Sequence, residues 1–218
     1  MVKAFVFDAY GTLFDVHSVK EECNKWFPEK GDAISTTWRE KQLNYFFLRQ
    51  LMQRYEPFDQ ITRESLRYAC KANGAQLTEE SEQALMEAYL NLELFEEVEE
   101  VLSQLNDKRL VVFSNGSPGM IDPLVGRSDI SGHIDEVLSA DGVKQYKPVP
   151  AAYYYAQQEL GLEKEDILFM SSNPWDITGA SSYGFHTAWI NRKGLQREEF
   201  DIQPEVEYDN LKGLLEWK

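Results

Sequence analysis

Apolar and polar positions follow two rhythms along this chain. Residues 2–7 form a short, largely apolar run rich in β-branched and aromatic side chains, which predicts a strand buried in a parallel sheet. From about residue 18 to 90 the period is helical. A first short helix is expected over 18–27, closed by Pro28 and Gly31, and a long one over 34–55, stopped by Pro57. Two more are expected over 62–71 and 78–90, with Asn73-Gly74 breaking between them. No strand is expected in this section, and helices joined by short loops predict a small bundle. On the long helix Trp38, Leu43, Phe46, Phe47, Leu51 and Met52 are more apolar than one buried stripe requires.

After about Leu92 helices and strands alternate. Strands are expected over 110–113, 136–139, 167–170 and 186–190, the last being the final clear one. Helices are expected over 95–105, 119–125, 151–160 and 174–183, with Pro118 near the first turn of the second. Alternation of this kind implies right-handed βαβ crossovers and a parallel sheet, which the N-terminal strand must join. The expected fold is α/β: a doubly wound, Rossmann-like core over 1–14 and 92–218, with a helical-bundle cap inserted at 15–91.

Composition narrows the partners. The chain has 218 residues and a net charge of -15, which argues against nucleic acid or an anionic membrane as partner. The same charge means that an anionic substrate would need a local cluster of positive groups. No run approaches the ~18 apolar residues of a membrane span. The first strand has no charged-then-apolar leader before it, so a cytoplasmic protein is expected. Cys23 and Cys70 are far apart and read as two buried or idle thiols. His17, His133 and His186 show no metal-ligand spacing, and no cofactor is expected.

The chemistry concentrates where strands end. Asp8 follows the first strand at once, where open α/β sheets place ligands, with Gly11 and Thr12 beside it to turn the chain and supply donors. An Asp held there is a candidate nucleophile, able to form an ester or acyl phosphate. The alternative is an Asp that merely caps the next turn. Other strand ends carry Ser114 and Asn115, then Ser171, Asn173 and Asp176, and Lys147 lies in the loop after the third expected strand. Each alone reads as a cap or a surface residue; their recurrence at every strand end argues for one shared cleft.

The opening stretch resembles the signature of the haloacid dehalogenase superfamily, whose members carry an Asp nucleophile at this strand end. Most are Mg-dependent phosphatases with a second Asp two places on; here that place is Tyr10. The resemblance sharpens toward the L-2-haloacid dehalogenases in FDAYGTLFDVHSV, WREKQL, LRQLMQRY, FSNGSP, SSNPWD, and YKP with Tyr153 six residues after the Lys. Glu40 stands beside Arg39 where that family usually has Gln, and the tail after about Arg197 matches least.

The resemblance implies metal-free hydrolysis of short L-2-haloalkanoates to D-2-hydroxyalkanoates, with inversion at C2. It implies Asp8 as nucleophile, Thr12 and Ser171 as its orienting groups, Lys147 as its positive partner and Tyr153 as support for Lys147. Arg39 and Asn115 would receive the halide. Ser114, with backbone N–H groups near Ala9 and Tyr10, would hold the substrate carboxylate. Asn173 and Asp176 would place and activate water, and Tyr10, Leu43, Phe58 and Trp175 would wall the halogen and alkyl group.

The residues themselves agree. Displacing halide from carbon needs an attacking oxygen, a home for an anion and a dry cavity. A phosphatase would want a carboxylate cluster for Mg²⁺, and Tyr10, Ser171 and Asn173 stand where acids would be. Arg39 and Leu43, one helical turn apart, face the same way. A phosphoryl hydrolase or a non-catalytic binding protein on the same fold are the rival readings. Trp38, Tyr45, Phe46 and Phe47 on the cap helix suggest a homodimer surface.

Overall fold

The computed structural model describes residues 2–105 and 107–217. Its centre is a six-stranded, all-parallel sheet, built from β1 (Ala4–Phe7), β2 (Arg109–Ser114), β3 (Glu136–Ser139), β4 (Ile167–Ser171), β5 (His186–Ile190) and β6 (Val206–Tyr208) in the order β3-β2-β1-β4-β5-β6. β1 is wholly buried between β2 and β4, as its unbroken apolar run requires. The order reverses between β1 and β4, so the carboxyl end of β1 opens into the crevice where doubly wound sheets bind ligands. Core helices α5 (Val98–Gln104), α6 (Pro118–Gly126), α7 (Pro150–Leu160) and α8 (Pro174–Tyr183) connect the strands. Three of the four begin near a proline or a tight polar turn, as the sequence suggests.

Between β1 and α5 lie the cap helices α1 (Lys20–Trp26), α2 (Gly31–Leu51), α3 (Phe58–Ala72) and α4 (Glu79–Ala88). The chain leaves and returns to the core at one place: Asp15 donates its N–H to Glu93 O (2.8 Å), and Phe95 to Leu13 O (3.0 Å). α4 starts with a capping box between Thr78 and Ser81, which satisfies otherwise orphaned N–H groups. Helix ends differ from the sequence reading by a few residues. α2 stops at Leu51 rather than 55, and α3 begins at Phe58, directly after Pro57.

Two expectations need correction. The strand β6 lies in the poorly matching tail, where none was expected: three half-buried residues on the sheet edge carry too little periodicity to read. The cap aromatics are largely internal. Trp38 is buried with its indole N–H on Thr62 O (2.8 Å), and Phe46 packs on Phe58, Tyr146 and Trp175. The extra apolar residues of α2 thus face the core as well as the cap. Its exposed apolar side chains are instead Leu48, Leu51 and Met52, at the C-terminal end. Cys23 and Cys70 are free and buried. Among the described residues no helix is long and apolar enough to cross a membrane.

Candidate active site

Asp8 leaves β1 with its N–H on Met170 O (2.8 Å), which ties the residue to the neighbouring strand. Gly11 follows at a φ of +89°, a left-handed conformation that bends the chain back and that a side chain would strain. The bend returns Thr12 to Asp8, and its Oγ1 donates to Oδ2 at 3.0 Å. Asn173 Nδ2 (2.9 Å) and Ser171 Oγ (3.3 Å) reach the same oxygen from the end of β4. The other oxygen, Oδ1, takes Lys147 Nζ at 3.0 Å. A carboxylate held by donors from three loops has its direction fixed before any substrate arrives.

Lys147 is fully buried, and its ammonium has spent every hydrogen: on Asp8, on Phe113 O (2.9 Å) and on Asp176 Oδ2 (2.8 Å). Burying such an ion costs several kcal/mol, which only a complete set of partners offsets. Burial pulls the ammonium pKa down, but the charges of Asp176 and Asp8 outweigh it, and the net shift is upward. Asp176 is also wholly buried, with Tyr153 Oη on its second oxygen at 2.8 Å. Burial, reinforced by Asp8 and opposed by Lys147, pushes its pKa up to about 6. Burial beside Asp176 also raises the Tyr153 phenol, so it stays a neutral donor. Gly179 permits this closeness: a Cβ there would stand 2.6 Å from Tyr153 Oη and 2.4 Å from Pro148 Cβ.

Opposite Asp8, the cap supplies Arg39, Leu43 and Phe46, at spacings that put them on one face of α2. Arg39 Nη1 donates to Gln42 Oε1 (2.8 Å), and Nη2 reaches Asn173 Oδ1 across the cleft (3.4 Å). Buried Gln42 is itself held by Thr62 (2.9 Å) and Tyr89 (3.1 Å). Arg39, Leu43 and Phe46, with Asp8, Tyr10, Phe58, Asn115, Asn173 and Trp175, line a small cavity of about 10 Å³. Its walls are mainly aromatic and aliphatic, with a carboxylate on one side and a guanidinium on the other.

The structure therefore brings Asp8, Thr12, Lys147, Tyr153, Ser171, Asn173 and Asp176 into one hydrogen-bonded cluster, with Arg39 joined through Asn173. The Asn115 amide clamps the Lys147 backbone, accepting its N–H (2.8 Å) and donating to its carbonyl (3.2 Å), while facing the cavity. Tyr10, Leu43, Phe58 and Trp175 line the cavity, and the Tyr10 carbonyl takes a second hydrogen from Asn173 (3.1 Å). Ser114 is buried with Oγ accepting the Gly116 N–H (2.9 Å), and Ala9 is buried in the turn whose N–H groups bond to its carbonyl. Ser114, Ala9 and Asp176 stand behind the lining rather than in it. Sequence reasoning missed Gln42 and Phe46 as site residues, although both lie at helical spacing from Arg39 and Leu43.

The donor set does not fit a divalent cation. Lys147 takes one Asp8 oxygen and the Thr12, Ser171 and Asn173 donors take the other, and among the described residues no three His, Cys, Asp or Glu side chains converge to ligate one.

Residues 2–184 match the family described as haloacid dehalogenase-like hydrolase. An (S)-2-haloacid dehalogenase of Pseudomonas sp. (strain YL) is 45% identical over 217 residues, spanning 99% of this chain and 94% of its own. The haloacetate dehalogenase H-2 of Moraxella sp. (strain B) is 42% identical over 206 residues, spanning 94% and 92%. The L-2-haloacid dehalogenase of Xanthobacter autotrophicus with covalently bound chloropropionic acid superposes with a TM-score of 0.92, at 32% identity, over 98% of this chain and 97% of that one.

Proposed function

The chain belongs to the haloacid dehalogenase-like hydrolases, and from that premise we propose that it hydrolyses short L-2-haloalkanoates to D-2-hydroxyalkanoates through an ester on Asp8. The supporting observation is the pairing of an oriented carboxylate with a facing guanidinium across an apolar cavity. Its support among relatives is the covalent chloropropionic acid structure of the Xanthobacter enzyme. In this reading one oxygen of Asp8 attacks C2 from the face opposite the halogen, so the carbon inverts as the C–X bond breaks. The departing halide is received by Arg39, aided by Asn115. Apolar walls exclude water, which strengthens both interactions and prevents competing attack.

The ester is then hydrolysed at the Asp8 carboxyl carbon. Asn173, at 2.9 Å from that carboxylate, orients the water. The attacking water gives one proton to the Asp176 carboxylate, ionised above about pH 6 and held by Lys147, and that proton later leaves to solvent. The second water proton ends on the product hydroxyl, and the water oxygen remains on Asp8. The substrate carboxylate lies on the Tyr10 side of the cavity, with Ser114 and Ala9 supporting that side from behind the lining. Residues 15–91 act as a cap domain, joined to the core at the paired crossing near Asp15 and Glu93. We further place the enzyme in the cytoplasm as a homodimer, with the exposed Leu48, Leu51 and Met52 at the subunit face.

The deciding measurement is halide release from each enantiomer of 2-chloropropionate, with product configuration read by chiral chromatography. Release from the L form alone, giving D-lactate and unaffected by excess EDTA, is expected. A single turnover in ¹⁸O-labelled water with enzyme in excess should put the label in the peptide containing Asp8. Label in the first-turnover product instead would make Asp8 a base acting on water.

A further inference from the structure

Beside the reaction cavity lies a second and larger one, of about 410 Å³, lined in part by His17, Arg39, Leu43, Asn173, Arg192 and Lys193. Arg39, Leu43 and Asn173 line both cavities, so the two are separated by little more than these side chains. The charge of the outer cavity is the reverse of the chain's. Arg39, Arg192 and Lys193 are cationic, against Asp15 as the single acid of its lining, on a protein of net charge -15. His17 adds little charge near neutrality, since burial and then the neighbouring Lys193 hold its pKa below the usual value.

These cations are not equally available. Arg192 is anchored: Nη1 pairs with Glu97 (2.6 Å), Nη2 donates to Thr12 O (2.9 Å), and the guanidinium stacks on Phe95. Its Nε is buried and has no hydrogen-bond partner among the described residues. Asp15 is partly occupied, accepting the His17 N–H at 2.9 Å. Lys193 is exposed at the mouth, and Arg39 forms the inner wall. A small anion entering here thus meets Lys193 first and Arg39 last, along a path whose potential opposes that of the acidic surface around it.

We propose that this cavity is an anion vestibule: an outer site adjoining the reaction cavity, which collects a small carboxylate for the inner cavity and passes the departing halide outward, with Lys193 as its entrance charge. The carboxylate arm rests on the haloacid reading above; the halide arm does not. Substrate and product anions share the chemistry the site selects, a single negative charge on a small body. Lys193 touches no reacting atom, so its effect falls on capture rather than on the chemical step.

The test compares Lys193→Glu with Lys3→Glu, which makes the same charge change beyond the opposite end of β1 from Asp8. At low ionic strength Lys193→Glu should lower kcat/KM for L-2-chloropropionate about fourfold, as expected for a two-unit change roughly 10 Å from the anion's path. Its kcat should be unchanged, and the deficit should vanish at about 1 M salt, where screening shortens to about 3 Å. Lys3→Glu should change neither. Line broadening in chloride NMR, read without substrate, should fall in Lys193→Glu and persist in Lys3→Glu. An equal loss in both variants, or unchanged kcat/KM in Lys193→Glu, overturns the vestibule. If the wild-type protein releases no halide from any haloacid, the haloacid reading fails on its own. The chloride measurement then decides the site: selective loss in Lys193→Glu upholds it, and broadening equal in all three proteins overturns it.

Discussion

The strand-end wall of the cavity and its cap wall hold charge by different means. On the core side Lys147 is wholly buried, makes three hydrogen bonds and binds two carboxylates that are themselves fixed by Thr12, Ser171, Asn173 and Tyr153. On the cap side Arg39 is half-buried, bonded to its own helix through Gln42 and to the core by one long contact of 3.4 Å. Lys147 has no spare donor, whereas a guanidinium carries five, of which Arg39 directs one to Gln42 and one to Asn173. In the proposed reaction the first arrangement keeps the nucleophile still, and the second leaves a cation able to take a new partner. A reaction that begins with one anion and ends with another leaving needs both.

Removing the proposed nucleophile should have the largest effect. Asp8→Asn keeps the shape of the cluster and should abolish halide release, by about 10⁵-fold or more in kcat, as when a covalent nucleophile is removed elsewhere. A steady-state assay with mass spectrometry of the intact protein, to exclude deamidation back to Asp, checks this. Turnover within tenfold of wild type would dissolve the assigned contrast between the two walls.

Lys147→Met separates stability from activity on the core side. It leaves Asp8 and Asp176 buried without their cation, so unfolding in urea should show a loss of about 3–5 kcal/mol together with loss of activity. Arg39→Ala is its counterpart on the cap. There kcat/KM should drop by about 2–4 kcal/mol of transition-state stabilisation while stability moves by less than about 1 kcal/mol. Equal stability losses in the two variants would erase the distinction drawn here.

The smallest effect is on pH dependence. The folded pKa of Asp176, about 6, lies above the ~3.9 of an unfolded Asp. Between these values the folded protein holds a proton there that the unfolded chain lacks, so lowering pH through this window costs no stability at this group. Activity should nevertheless fall below about pH 6, as the proton acceptor for ester hydrolysis is lost. Rate profiles and melting curves over the same range should diverge. An activity profile flat down to pH 5 would remove Asp176 from the chemistry and leave it as a support for Lys147.

Much of this was legible beforehand, for identifiable reasons. Each core strand pairs an apolar run with a polar end, so Asp8, Ser114 and Ser171 had to reach one sheet edge once the sheet was parallel. Lys147 and Asn115 entered the reading by their place in loops after strands. Gln42 did not, because a Gln at a buried helical position gives no periodic signal, and its value comes from Thr62 and Tyr89, which arrive from other helices. Phe46 read as surplus apolar area when it is shared between cap and cavity. β6 was silent because an edge strand of three half-buried residues has neither run nor alternation.

What the sequence determined by itself is the local grammar: a buried first strand, an inserted run of amphipathic helices, and alternation that permits only a parallel sheet. These follow from side-chain period and from the conformational limits of Gly and Pro, which act over a few residues. Tertiary structure alone decided the partnerships. Lys147 meets Asp8 across 139 residues of chain, and Arg39 meets Asn173 across 134. It also decided that Asp176 shares its cation with Asp8 rather than facing the cavity, and that a cationic hollow adjoins it on an acidic protein. Such contacts exist only once separate elements pack, because burial and charge pairing depend on what the rest of the chain places within a few ångströms.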